Sequence, residues 1–305
     1  MSEPETRFNV TERDRGKRLD FFLRERIPGL SRARIQRAID IRVTLSWGVR
    51  PRSATPVRPG GVVQVGHTPL VEDVVDVPLP ILARGDGWLA VDKPAGIVVH
   101  PVNGVRENSL IRTLRRQEGA ASLRLAHRLD RETTGVLLVA DGAASATVLS
   151  TAFARGDVHK EYLAIVAGLP DGDEGTIDLP IGEAAGRRVY VRREVAEDGE
   201  RAVTRWRVEQ RLDGRTLLRL FPETGRRHQL RVHLAAVGHP ILGDILYGRP
   251  DEDYLALVRG SGDARSDEGA PARQQLHCAR LVFPDPAGNG RIDVVAPVPA
   301  DFVAR

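Results

Sequence analysis

Apolar residues recur along this chain with two periods, and their alternation predicts a small unit of helices and short strands followed by a larger, sheet-rich one. Leu19, Phe22 and Leu23 fall at helical spacing, and Ser31 can cap a second helix in which Ile35 and Ile39 turn inward while Arg32, Arg34 and Arg37 stay solvent-facing. Strand-like runs follow at Val43-Thr44-Leu45 and Val62-Val63-Gln64-Val65, set apart by the turn residues Trp47-Gly48 and Pro59-Gly60-Gly61. Residues 68–80, with Pro69, Pro78 and Pro80, read as an extended linker, and 1–15 as an N-terminal tail.

Beyond the linker, Trp88-Leu89-Ala90-Val91 reads as a strand, Leu110, Ile111 and Leu114 mark a helix ending at Gly119, and 136–140 is a short buried strand. Val148, Leu149 and Ala152 share a helical face stopped by Gly156, after which Tyr162, Ala164 and Val166 alternate with Leu163, Ile165 and Ala167. Strands at 201–208 and 216–221 join through Asp213-Gly214 as a hairpin, and Leu230, Leu234 and Val237 form the inward face of a further helix. Residues 259–273, rich in glycine and charge, read as a mobile surface loop. Hairpins beside a few helices predict an α+β domain with a largely antiparallel mixed sheet flanked by helices. The expected division is a tail at 1–15, a small α/β domain at 16–67, a linker at 68–80 and a large domain at 81–305.

Composition adds a class and a direction. At 41% hydrophobic and 28% charged residues the chain is ordinary globular protein. No apolar stretch reaches the roughly 18 residues of a membrane span, and the opening segment lacks the apolar core of a secretion signal, which predicts a cytoplasmic protein. The single cysteine, Cys278, forms no internal disulfide and offers little to a zinc site. Residues 1–60 hold 14 Arg and Lys against 7 Asp and Glu, so the positive surplus of a chain of net charge +4 lies at its N-terminal end. Clustered charge of this kind suits phosphate.

The candidate chemistry sits at Ala126-His127-Arg128-Leu129-Asp130-Arg131-Glu132-Thr133-Thr134-Gly135, a polar segment just ahead of a buried strand. Cations on both sides favour an ionised Asp130, which suits either a nucleophile or an ordinary ion pair. A hydrolytic triad around His127 lacks its Gly-x-Ser-x-Gly elbow. His228 and His233, five apart, do not share a helix face as zinc ligands four apart would, so no metal is expected.

The same segment resembles the catalytic signature of the RluA-type pseudouridine synthases. In that family's order, Asp86-Gly87-Trp88-Leu89-Ala90-Val91-Asp92-Lys93-Pro94-Ala95-Gly96 resembles its first motif, Lys160-Glu161-Tyr162-Leu163-Ala164 its tyrosine-bearing strand, and Thr224-Gly225-Arg226-Arg227-His228-Gln229-Leu230-Arg231-Val232-His233 its arginine motif. Gly238-His239-Pro240-Ile241-Leu242-Gly243-Asp244 and Leu276-His277-Cys278-Ala279 continue the likeness. Thr134 stands where serine is usual, and keeps the hydroxyl. Residues 17–66 resemble the S-four-like RNA-binding domain, with Trp47-Gly48 in place of the usual Asn-Gly turn and Gly60-Gly61 in place of Gly-Asp.

The resemblance implies a central RNA-binding cleft in which Asp130 attacks the target nucleotide, Tyr162 packs on the base, Arg231 pairs with the Asp130 carboxylate and Arg128 fills the space left by the flipped nucleotide. Arg32, Arg34 and Arg37 would dock RNA from the small domain. Isomerising uridine breaks N1–C1′ and forms C5–C1′ with no net oxidation, so neither cofactor nor energy source is implied. Addition of the carboxylate at C6, attack at C1′ and proton abstraction at C2′ all remain open. The implied partner is structured RNA, foremost large-subunit ribosomal RNA, with no membrane and no nucleotide cofactor. Transfer RNA as substrate, or a silent RNA-binding or assembly factor on the same scaffold, are the alternatives. Oligomeric state is not legible.

Overall fold

The structure, a computed structural model, describes residues 5–27, 35–36, 38–39, 43–66, 74–75, 77–102, 105, 107–184, 189, 191–258, 271 and 273–302. The chain divides into two compact units, 1–71 and 72–305, each with a core of its own.

In the small unit, strands β1 (Glu5–Asn9), β2 (Val43–Leu45) and β3 (Val62–Gly66) form an antiparallel sheet in the order β1-β3-β2, accompanied by helix α1 (Leu19–Arg26). Leu19, Phe22 and Leu23 meet Ile35, Ile39, Val63 and Val65 in its core, the apolar stripe expected of a helix laid on a sheet. The stretch 1–15 is therefore not a tail throughout. Thr6, Phe8 and Val10 alternate with exposed Arg7 and Asn9, the period of a half-buried strand, and Phe8 packs on the core. Cations here have intradomain partners: Arg26 and Lys17 bind buried Asp14, Arg18 binds Asp20 and Arg15 binds Glu12. Ser31, Arg32, Arg34 and Arg37 lie outside the described residues.

The large unit is built on a ten-stranded sheet. Its strands are β4 (Ile81–Gly85), β5 (Trp88–Lys93), β6 (Leu123–Leu125), β7 (Thr134–Asp141), β8 (His159–Ala167), β9 (Glu174–Asp178), β12 (Val203–Leu212), β13 (Arg215–Pro222), β14 (Leu276–Pro284) and β15 (Arg291–Val295). A separate two-stranded sheet pairs β10 (Ile181–Glu183) with β11 (Arg193–Val195). Helices α2 (Leu110–Glu118), α3 (Ala143–Arg155), α4 (Gln229–Ala236) and α5 (Asp251–Val258) complete the described elements. The spatial order is β4-β5-β7-β14-β8-β13-β12-β9, with β6 on β7 and β15 on β14. Every pairing in it is antiparallel except β7 with β14, so this is the largely antiparallel α+β arrangement that the apolar pattern predicts.

That parallel seam matters most for the site. β14 is inserted between β7 and β8, and it alone joins the two halves of the sheet. The match of His277 to Thr134 and Cys278 to Gly135 requires close backbones. Gly135 has φ +103° and a Cβ there would collide with the Cys278 carbonyl, so only glycine ends the polar segment without displacing β14. β7 is buried from Thr134 through Ala140, and a strand covered on both faces is continuously apolar rather than alternating.

Several expectations need correction. Leu79, placed in the linker by its prolines, is 1% exposed and packs in the large core, with its N–H and C=O both bonded to the Gln117 side chain. Val148 and Val237 are exposed. α3 buries Leu149 and Ala152 instead, and Val237 stands past the end of α4. Of 259–273, residues 259–270 and 272 lie outside the described residues. Arg273 is buried with its guanidinium on Asp301, which is not the behaviour of a surface loop. No helix among the described residues is long and apolar enough to cross a membrane.

Candidate active site

Asp130 lies in the loop entering β7, and the backbone N–H of Thr133 bonds back to its carbonyl at 3.2 Å. Beneath this turn sits Lys93, fully buried at the end of β5. Its ammonium donates to the carbonyls of Pro94, Arg131 and Thr133 at 2.9, 2.8 and 2.9 Å. All three protons are thus used, two of them on carbonyls of the loop that carries the carboxylate and one on Pro94, the residue after Lys93. Burial pulls the Lys93 amine down to about 7, with Glu132 and Asp130 opposing.

From the other half of the sheet, α4 brings Arg231. Its Nη1 donates to Asp130 Oδ2 at 2.8 Å, while Nε and Nη2 grip Asp244 at 2.7 and 2.8 Å. Asp244 has a fully buried side chain and also accepts the backbone N–H groups of Leu246 and Tyr247 at 2.9 and 3.0 Å. The guanidinium is therefore clamped from behind and offers one corner to Asp130, the fixed-fork use of arginine. Burial works against its charge, but the carboxylates of Asp244 and Asp130 outweigh that and push its pKa upward. Burial likewise raises the Asp130 carboxyl, and the charge of Arg231, then His228, the Arg231 hydrogen bond and Arg128, hold it below the usual carboxylate range. The carboxylate is ionised at neutral pH.

Asp130 opens into a pocket of about 310 Å³ lined by Tyr162, Lys160, Leu276 and the loop 224–228. Tyr162 stands on β8 opposite Cys278 of β14 and packs against the cores of both halves of the sheet. Burial, then Cys278 and Asp130, push its phenol well above the ordinary range, so it is protonated. Gln229 shapes the loop: its oxygen accepts Thr224 Oγ1 and the N–H of Arg226, and its nitrogen donates to Val203 O and Thr204 Oγ1. Arg128, Arg226 and Arg227 are exposed along the pocket.

The structure thus brings Asp130, Tyr162, Arg231 and Arg128 to one pocket. The sequence alone assigns no part to Lys93, Asp244 or Tyr247, and offers His228 only as a metal ligand to be weighed and set aside. His228 lies beside Asp130 with Nε2 3.9 Å from Oδ1, and its Nδ1 meets the Tyr247 hydroxyl at 2.9 Å. Its place inside the arginine motif, rather than any spacing within one helix, was the available signal. His233 is fully buried between Thr204 Oγ1 and Leu179 O, and His127 accepts the Leu138 N–H while stacking on Phe153.

An ionised carboxylate at the floor of an arginine-rimmed pocket, carried by a mixed sheet, defines a site for polyanion chemistry. Residues 87–236 match the RNA pseudouridylate synthase family. The ribosomal large subunit pseudouridine synthase D of Xanthomonas campestris pv. campestris is 38% identical over 296 residues, 94% of this chain and 87% of that one. The protein of the same name from Vibrio vulnificus is 34% identical over 96% of this chain and 91% of its own. Among solved structures, human RNA pseudouridylate synthase domain containing 1 matches with a TM-score of 0.60 at 28% identity, covering 74% of this chain and 86% of that one. The chain belongs to the RNA pseudouridylate synthase family, in its RluA-type branch, and is an enzyme that isomerises uridine in RNA to pseudouridine.

Proposed function

We propose that the enzyme modifies large-subunit ribosomal RNA in the cytoplasm, with Asp130 as the attacking carboxylate. The observation that carries this reading is the Asp130 carboxylate held ionised in the pocket by Arg231, itself clamped by Asp244. The substrate assignment rests on the relatives named for that activity over nearly the whole chain.

The target nucleotide leaves its stack, at a cost of a few kcal/mol, and its base enters against Tyr162 while Arg128 occupies the vacated space. Asp130 then promotes cleavage of N1–C1′, whether by addition at C6, attack at C1′ or removal of the C2′ proton. The freed uracil turns, C5 bonds to C1′, and the C5 proton is exchanged for one on N1, so atoms and charge balance without another reactant. Tyr162 keeps the detached base stacked in place. Arg231 supplies a fixed counter-charge, which needs no reorganisation during the reaction. The small unit, S-four-like, docks RNA through its positive surplus.

The test is single-turnover conversion of uridine in transcribed ribosomal RNA, with no cofactor added. Asp130→Asn should abolish turnover while leaving RNA affinity within about twofold, since an amide is neither nucleophile nor base. Arg231→Met should lower rate far more than affinity. Substantial turnover by Asp130→Asn would remove the carboxylate from its role.

A further inference from the structure

The Asp130 carboxylate has two unequal oxygens. Oδ2 is engaged by Arg231, so Oδ1 is the one left open toward the pocket, and the side chain standing over it is His228. At 3.9 Å, Nε2 is beyond hydrogen-bond reach of Oδ1, and both residues line the pocket.

The placement of His228 is built rather than incidental. It caps the N-terminus of α4 at φ +58°, the only non-glycine residue with positive φ among the described residues. A left-handed conformation is strained for an L-residue, and such backbone persists where surroundings over-determine it. Tyr247 supplies that determination. Its oxygen accepts the backbone N–H of Arg193 at 2.9 Å, so its own proton is directed to His228 Nδ1, also at 2.9 Å. With Nδ1 accepting, a neutral imidazole carries its hydrogen on Nε2. The Tyr247 ring also lies 5.0 Å from the Arg231 guanidinium carbon, so one aromatic residue braces both groups that address Asp130.

We infer that His228 is a further catalytic residue: its Nε2–H, fixed on that nitrogen by Tyr247, donates a hydrogen bond to an oxygen of the target nucleotide seated against Asp130 Oδ1. The inference rests on the reading of Asp130 as the attacking carboxylate. Burial, aided by nearby Arg231 and Arg227 and opposed by Asp130, pulls the His228 pKa down to about 4, so the donor is a neutral imidazole throughout the working range. A neutral donor suits a position next to an anion that must stay nucleophilic, because an imidazolium would pair with the carboxylate and close the gap. The acceptor is an oxygen of the nucleotide, either the ribose 2′-hydroxyl or a uracil carbonyl.

Three variants of the full chain test it by single-turnover rate and RNA affinity. His228→Asn tolerates the left-handed backbone but lacks a donor at the Nε2 position, and should slow turnover about 10- to 100-fold, the range for one hydrogen bond removed from a buried partner. RNA affinity and thermal midpoint should stay near those of the unaltered enzyme. His228→Gln restores a donor at that reach and should recover a measurable part of the rate. Tyr247→Phe keeps the ring over Arg231, frees the tautomer and should slow turnover by about fivefold, the share of a weakened neutral hydrogen bond. A rate for His228→Asn within twofold of the unaltered enzyme, or equal rates for Asn and Gln, overturns the inference. The acceptor is read from RNAs carrying 2′-deoxyuridine, 2-thiouridine or 4-thiouridine at the target, by single-turnover rate. The analogue on which the His228→Asn penalty vanishes identifies the oxygen, and a penalty unchanged on all three overturns the proposed hydrogen bond. Asp130→Asn run in parallel separates the two levels: activity there refutes the reading of the carboxylate, whereas an inactive Asp130→Asn beside a fully active His228→Asn refutes only the part given to the histidine.

Discussion

Replacing Asp244 by Asn tests whether the arginine is held from behind. The two oxygens of Asp244 are unequal: Oδ1 accepts from Arg231 Nη2, Leu246 N and Tyr247 N, while Oδ2 accepts from Arg231 Nε alone. The asparagine oxygen therefore takes the Oδ1 site, and its NH2 group faces the Nε–H, donor against donor. One charge-assisted hydrogen bond disappears, worth roughly 1.5–3 kcal/mol, and a fully buried guanidinium is left with Asp130 as its only carboxylate. Breaking one side of a buried ion pair costs about 3–5 kcal/mol, so a destabilisation of about 4 kcal/mol is expected. For a unit of this size that lowers the melting midpoint by about 10 °C. Urea denaturation followed by tryptophan fluorescence measures it, and turnover should fall at least tenfold because the corner offered to Asp130 is no longer fixed. The companion is a double-mutant cycle with Arg231→Met. Since removing both ions relieves the uncompensated charge, Asp244→Leu with Arg231→Met should destabilise by clearly less than the sum of the single changes. Strict additivity, or a stability change under about 1 kcal/mol for Asp244→Asn, would show that no clamp exists.

Tyr162→Phe keeps the stacking face and removes the hydroxyl, so it separates packing from proton transfer; full activity in single-turnover assay would exclude the hydroxyl from essential chemistry. Gly135→Ala forces a Cβ onto the Cys278 carbonyl at φ +103° and should destabilise the large unit by several kcal/mol, seen as a lowered midpoint; an unchanged midpoint would mean that the seam can open at no cost. Deleting residues 1–71 should weaken binding to structured RNA and flatten its salt dependence by about one slope unit for each phosphate no longer neutralised, with turnover of a saturating minimal substrate retained. An unchanged slope in filter-binding across a salt series would deny the small unit any part in holding the RNA backbone.

What the sequence reveals about this molecule depends on whether the causes are local. The helix at Leu110, Ile111 and Leu114 and the hairpin at Asp213-Gly214 are legible because period and turn chemistry act over a few residues. The short strand Glu5–Asn9 is not, because three alternating positions among charged neighbours give no run, and its stability comes from pairing with residues 62–66. Leu79 is hidden by the prolines that follow and precede it. Asp130, Tyr162 and Arg231 are reachable through motif resemblance alone, since by physics each has an ordinary structural alternative. Asp244, Tyr247 and Lys93 act through partners met only after folding, a guanidinium, an imidazole and three carbonyls. No periodicity announces such partners.

The insertion of β14 between β7 and β8 has a consequence for synthesis. Asp130 belongs to the half of the sheet completed by residue 141, and Tyr162 and Arg231 to the half completed by residue 236, yet the strand that hydrogen-bonds these halves spans Leu276–Pro284. A nascent chain can thus collapse two partial sheets while it is still being translated, but it holds no assembled pocket until residues 276–284 have left the ribosome. Pairings of such long sequence separation form slowly, and until then the facing edges of β7 and β8 are unpaired strands open to the wrong neighbour. The pocket is withheld, by topology alone, until the strand that joins its two halves has been made.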